Sequence, residues 1–198
     1  MKKARAPYNK DTAFKAVLVL VIIGVVLGGL LALLNDLFYV SPEEITMRII
    51  KKFYDGEEKQ YTTIEIAPEN LVNEFGTVDT VYLIEDGNYL IKATGKEGFH
   101  DGTVTMWLLT RFENGKFAEF IKVKYAESSG QTLMSNFSEE YYNVYVGSSI
   151  KDGYFTVAKG PSNVNTNLVA GTTKSSNAIN NAVNSAYYFI INVLEVQG

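Results

Sequence analysis

The run from Ala16 to Asn35 limits this chain more than any other feature: it holds no charge and is mostly apolar. About 20 such residues, wound as a helix, cross the hydrocarbon core of a bilayer. Ahead of it stand Lys2, Lys3, Arg5, Lys10 and Lys15 against Asp11 alone, and behind it come Asp36, Glu43 and Glu44. By the positive-inside rule the N-terminus is cytoplasmic, and the rest of the chain lies beyond the membrane. The rival reading is a cleaved signal peptide, but the apolar core is long for one and no A-x-A-like site follows it. Gly24 and Gly28 have the spacing that lets a partner helix approach closely. The expected organisation is therefore a basic N-terminus over 1–15, a transmembrane helix over 16–35, a stalk over 36–59 and one extracytoplasmic domain over 60–198. The localisation that follows is the cell membrane, single-pass.

The stalk has a helix start in Ser41-Pro42-Glu43-Glu44, with Ser as the cap, Pro at the first helical position and Glu44 three residues on. It runs to about Phe53 and stops before Asp55-Gly56. From Gln60 the texture turns to β, and Thr62 to Ile66 reads as a strand. Pro68 to Phe75 suits a short helix. Two hairpins follow. Thr80–Ile84 and Tyr89–Ala93 flank Glu85-Asp86-Gly87-Asn88, and Thr103–Phe112 and Phe117–Tyr125 flank Glu113-Asn114-Gly115-Lys116. Asp-Gly and Asn-Gly supply the positive φ that tight hairpin turns need. Tyr154 to Val157 suits a short strand. The fold class is α+β: one transmembrane helix, then one domain of antiparallel hairpins closed by a C-terminal helix.

That last helix carries the candidate site. Ile179, Val183, Tyr187, Ile190 and Leu194 recur at spacings of three and four within Asn177–Leu194, the helical period. In front of them stands Asn167-Leu168-Val169-Ala170-Gly171-Thr172-Thr173-Lys174-Ser175-Ser176, with Ser175 or Ser176 as the expected cap. A helix start offers unpaired N–H groups and the positive end of a dipole, so it suits phosphate. A hydroxyl held there can accept a phosphoester. The same local pattern also fits a Ser/Thr-rich loop that only caps a terminal helix.

The stretch resembles the flavinylation motif, D-x-x-S-G-A-T-x-T-S, of the FMN-binding domain in the G subunit of Rnf complexes and the C subunit of sodium-pumping NADH:quinone reductases. Gly171, Thr173 and Ser176 match it. Asn167, Ala170, Thr172 and Ser175 stand where the family has Asp, Ser, Ala and Thr. The resemblance implies that Thr173 carries covalent FMN through a phosphoester, with Thr172 and Ser175 as back-up acceptors. The backbone around Thr172–Asn177 would cradle the phosphate, and Lys174 would add a charge or stay solvated. Family members also have a Gly-aromatic-x-Gly turn, a hairpin and then a Glu-Thr-Pro-Gly-Leu-Gly loop near the flavin. Here Gly98-Phe99-His100-Asp101-Gly102 precedes the second hairpin, and Glu127-Ser128-Ser129-Gly130-Gln131-Thr132 follows it, keeping Glu127 and Gly130. The resemblance implies that Leu133 to Phe137 and Glu139 to Val146 form the family's next segment, a helix leading on toward the motif. Partners implied are other membrane subunits of a redox complex and a flavin transferase for maturation.

Composition prunes other classes. Net charge is −4, so nothing marks a nucleic-acid partner. The absence of cysteine removes disulfides, thiolate zinc sites and cysteine-ligated iron–sulfur clusters. His100 is the single histidine and cannot build a multi-histidine metal site. It reads as an exposed loop residue, with a Ser-His-Asp triad lacking any elbow motif. Tyr141, Tyr142 and Tyr145 read as core residues or, less directly, as rings able to stack on a flavin. Within this reading three roles stay open: a subunit of a redox-driven ion-translocating complex, a stand-alone extracytoplasmic electron carrier, and a structural subunit without flavin.

Overall fold

The computed structural model describes residues 10–149, 154–155 and 172–197. The chain divides into two compact units, Met1–Thr46 and Met47–Gly198. The first holds helix α1, Lys10–Phe38. Within it Phe14–Asn35 has a mean hydropathy of 3.2 and none of its most apolar stretch is buried in protein, so it is long and apolar enough to cross a membrane. Helix α2, Pro42–Phe53, starts as expected: Ser41 Oγ accepts the Glu44 N–H at 3.1 Å.

The second unit is built on a five-stranded antiparallel sheet in sequence order: β1 Tyr61–Ile64, β2 Gly76–Ile84, β3 Tyr89–Gly95, β4 Thr103–Glu113 and β5 Lys116–Ser129. Both expected hairpins form. Gly87 at φ 84°, Asn114 at φ 53° and Gly115 at φ 76° occupy the left-handed region their turns demand. The strands are longer than the hydrophobic alternation indicated, because pairing extends to Gly76↔Gly95 and Thr103↔Ser129.

Each face of the sheet has its own core. On one, Val78, Val81, Ile91, Ala93, Val104, Met106 and Leu108 pack under helix α4, Thr173–Phe189. On the other, Ile84, Leu90 and Leu109 meet Ile50 and Phe53. Ile50 is fully buried, so the last turns of α2 belong to the domain. The compact unit thus begins at Met47, ahead of the boundary expected near 60.

Two expected helices do not form as such. Over 68–75 only a 3-10 turn, Pro68–Asn70, appears before an isolated bridge from Val72 to Thr77. Over 133–146 the chain makes a 3-10 turn at Met134–Asn136, the single-turn α3 at Glu139–Tyr142, and another 3-10 turn at Asn143–Tyr145. Tertiary packing decides here: Tyr141, Tyr142 and Tyr145 are buried, so the backbone winds to seat three large rings rather than to keep one axis. The expected strand over Tyr154–Val157 lies partly outside the described residues.

Helix α4 differs from its sequence pattern in an informative way. It is not half-exposed. Ala178, Ile179, Ala182, Val183 and Ala186 are fully buried against the sheet, and so, nearly, are Asn180, Asn184 and Ser185. The asparagines serve as substitutes for strand backbone. Asn184 donates to Phe155 O and accepts from Phe155 N, both at 2.8 Å. Asn180 accepts from the Tyr145 hydroxyl at 2.6 Å, and Asn181 donates to Lys96 O at 2.9 Å. Buried polar groups of this kind are stable only when paired. Asn184→Ala should therefore cost about 2–4 kcal/mol, because it strands a buried N–H and a buried carbonyl at Phe155. Thermal unfolding followed by circular dichroism checks this, and a loss below about 0.5 kcal/mol would contradict it.

Candidate functional site

The first turn of α4 begins earlier than the cap expected at Ser175 or Ser176. Thr172, at φ −112° and ψ 20°, is the last non-helical residue, and the Ser176 N–H closes the first helical bond on Thr172 O at 2.8 Å. Ser175 and Ser176 are drawn inside the first turn because tertiary contacts bury them. Among the described residues no side chain caps the helix, and its first turn contains no acidic residue. The positive end of a helix of this length favours an anion.

The hydroxyls of this segment separate by burial. Thr172 is 2%, Ser175 3% and Ser176 1% exposed, whereas Thr173 and Lys174 face solvent. Ser175 Oγ donates to Gln131 Oε1 at 2.7 Å. The Ser176 hydroxyl lies near enough to Tyr141 to favour its phenolate, yet makes no hydrogen bond of ordinary geometry. Burial is the larger influence on Tyr141 and raises its pKa, so the phenol stays protonated.

Gln131 joins three segments, a role that local sequence pattern does not mark. Besides Ser175 it takes the Phe99 N–H at 3.2 Å and donates to Phe99 O and Ser129 O, both at 3.4 Å. It fits because Gly98 and Gly102 leave room. A Cβ on Gly102 would stand 2.2 Å from Ser129 O and 2.6 Å from the Gln131 amide nitrogen. The intervening turn holds His100 and Asp101 at φ 50° and 56°, conformations that side chains adopt only under constraint. His100 is exposed, with its ring 4.1 Å from that of Phe99, which agrees with the loop reading.

A pocket of about 250 Å³ opens where these segments meet, lined by Phe99, Thr132, Leu133, Thr172, Thr173, Lys174 and Ser175. The fold therefore brings Gly130, Gln131 and the Gly98–Gly102 turn to the start of α4. It does not bring Glu127 there. Glu127 sits within β5 rather than in a loop, and its carboxylate accepts from Lys92 Nζ at 2.7 Å. Lys92 lies on the sheet face turned away from α4, over the Trp107 ring at 5.9 Å. The Lys92 ammonium holds the Glu127 carboxyl below the usual carboxylate range. Strand alternation explains the separation: Ile91, Ala93 and Gly95 face α4, so Lys92 and its partner cannot. Ala170 and Gly171 lie outside the described residues, as does Asn167.

No family model and no curated protein sequence matches this chain. What the site can do is set by its parts. It offers an open helix terminus, an exposed threonine hydroxyl on the first residue of that helix, a lysine beside it and a partly apolar pocket under an exposed phenylalanine ring. Such a set can hold a phosphate monoester or carry one covalently.

Proposed function

We propose that this chain is a membrane-anchored electron-transfer flavoprotein with FMN joined through its phosphate to Thr173, resembling the flavin-bearing subunit of an Rnf- or Nqr-type complex. One observation carries the reading. Among the described hydroxyls of the motif, Thr173 alone faces solvent, and it does so at a helix start that no described side chain caps. The same burial argues against Thr172 and Ser175 as acceptors.

The donor set fits the group. The open N–H groups of the first turn and Lys174 would take the phosphate oxygens, and Phe99 and Leu133 would face the apolar part of the cofactor. The pocket is smaller than the roughly 300–1,000 Å³ of sites that enclose a whole ligand. A covalent tether is the natural way to retain a cofactor that the protein covers only in part. Esterification needs an FMN phosphoanhydride as donor and a transferase. The Thr173 oxygen bonds to phosphorus as the anhydride P–O bond breaks, the leaving group keeps that electron pair, and the threonine proton passes to a base. Flavin, once attached, supplies one- and two-electron transfer. The chain's own residues hold its phosphate, limit its motion and exclude water from one side. Glu127 then acts at a distance, by fixing β5 against Lys92, rather than over the ring.

The first test is direct. Protein purified from native membranes should be yellow and should carry one FMN-sized mass increment on the peptide containing Thr173. A colourless, unmodified chain would leave a tethered scaffold without a redox role. Orientation is part of the proposal: a protease added to right-side-out vesicles should digest the chain beyond residue 40. Protection of that part would reverse the topology.

A further inference from the structure

A second cavity, sharing no lining residue with the pocket at the start of α4, lies along β5. It measures about 540 Å³ and is lined by Lys122, Val123, Lys124 and Tyr125 of β5, with Lys52, Phe137 and Tyr142 among the residues facing them. Four consecutive strand residues can line one cavity only if it runs along the strand's edge, since alternate side chains point to opposite faces. Among the described strands β5 ends the sheet, with β4 beside it. Its outer side is bonded at Phe120, to Gly147 and Ser148, but no such bond is found over Lys122–Tyr125 among the described residues. Among the described residues this edge is unpaired and lies within a groove, the template for adding another strand.

The two sides of that edge differ in chemistry. On the α4 side, Val123 is buried, Tyr125 stacks on Tyr142 at 6.3 Å, and Met134 and Phe137 complete an apolar wall. On the other side stand Lys122 and Lys124, with Lys52 from α2. Lys122 is occupied by Phe53 O at 2.8 Å and by the Asp55 carboxylate at 2.9 Å. Lys52 and Lys124 form no ion pair among the described residues. Glu139 is the acidic residue among those that line the groove.

We propose that the outer edge of β5 over Lys122–Tyr125 is a docking site for an extended segment of another protein chain in which acidic and apolar residues alternate. The alternation follows from the pleat. A strand laid along this edge sends every second side chain toward Lys52 and Lys124 and the others toward Tyr125, Phe137 and Tyr142. Charge complementarity decides the occupant: of this chain's own segments outside the described residues, 1–9 and 156–171 contain no acidic residue and 150–153 contains one, Asp152, to meet those lysines. The inference is independent of the flavin reading and holds for a scaffold as well as for an electron carrier. Lysines on a strand edge can also serve simply to repel other strands, and the experiment separates the two roles.

The full chain in detergent micelles would be titrated with a labelled synthetic peptide alternating aspartate with valine and phenylalanine, followed by fluorescence anisotropy. Saturable binding is expected, weakened about tenfold or more in the Lys52→Glu/Lys124→Glu double variant. The same peptide N-methylated on its edge-facing amides keeps its charge but cannot pair, and it should fail to bind. Equal binding of the methylated peptide would reduce the effect to charge alone and overturn strand docking. Absence of binding to the native chain would overturn it too, as would self-association of the chain abolished by the same double variant, which would assign the edge to a second copy.

Discussion

Thr173→Ala should abolish covalent flavin while leaving the fold intact. The residue is exposed, its hydroxyl is not used as a cap, and alanine is a good helix former at the same position. Its structural cost should therefore stay within about 0.5 kcal/mol. Its effect on modification is all-or-none, because a phosphoester needs that oxygen. Intact mass and visible absorbance of the variant, beside the native chain, read the loss directly. Thr173→Ser, which keeps a hydroxyl at the same place, should restore part of the adduct. Ser175→Ala should keep the adduct but loosen the site, since it deletes the 2.7 Å bond to Gln131 that ties the first turn of α4 to the Gly98–Gly102 turn. An adduct that survives in Thr173→Ala would move the acceptor and remove the burial argument with it.

Gly95→Ala should be among the most destabilising single substitutions in the sheet. A Cβ there would lie 2.1 Å from Ala178 O and 2.2 Å from Ala182 N. Both are backbone atoms of α4, so neither can swing aside as a flexible side chain would. The helix would have to lift, and Ala178, Ala182 and Ala186, fully buried along the same face, would lose their contacts. Overpacking in a tight core costs about 1–3 kcal/mol, and a clash with backbone belongs at or above the top of that range. A domain with about 5–15 kcal/mol of total stability would be left marginal. Thermal unfolding of the full chain in detergent would show it. Gly115→Ala is the comparison: its Cβ meets open space, so only the left-handed turn conformation at φ 76° is taxed, at about 1–2 kcal/mol. Equal losses at the two positions would mean that α4 does not sit against β3 as described.

The apolar span, the cap of α2, both hairpins and the existence of the final helix could be read from the chain because each depends on neighbours in sequence. Turn dihedrals at Asp86-Gly87 and Asn114-Gly115, and the unbroken apolar run to Asn35, are local facts. The helices expected over 68–75 and 133–146 failed for the complementary reason. Their propensities were weak, and burial of distant rings outweighed them.

The candidate site divides the same way. That a hydroxyl cluster stands before a helix is visible in the residues themselves. Which hydroxyl faces solvent is not, because Ser175 is buried by Gln131, 44 positions away, and the polar face of α4 is covered through bonds such as Asn184 to Phe155 and Asn181 to Lys96. Periodicity treats asparagine as a solvent-facing residue, since it counts hydrophobicity and not partners. Only the assembled structure supplies the partners. It sets Glu127 on the opposite sheet face, places Gln131 at the centre of the site and leaves the edge of β5 over Lys122–Tyr125 without a partner among the described residues. Local sequence determined the elements and their ends; contacts between distant segments determined which side chains each element hides and which it presents.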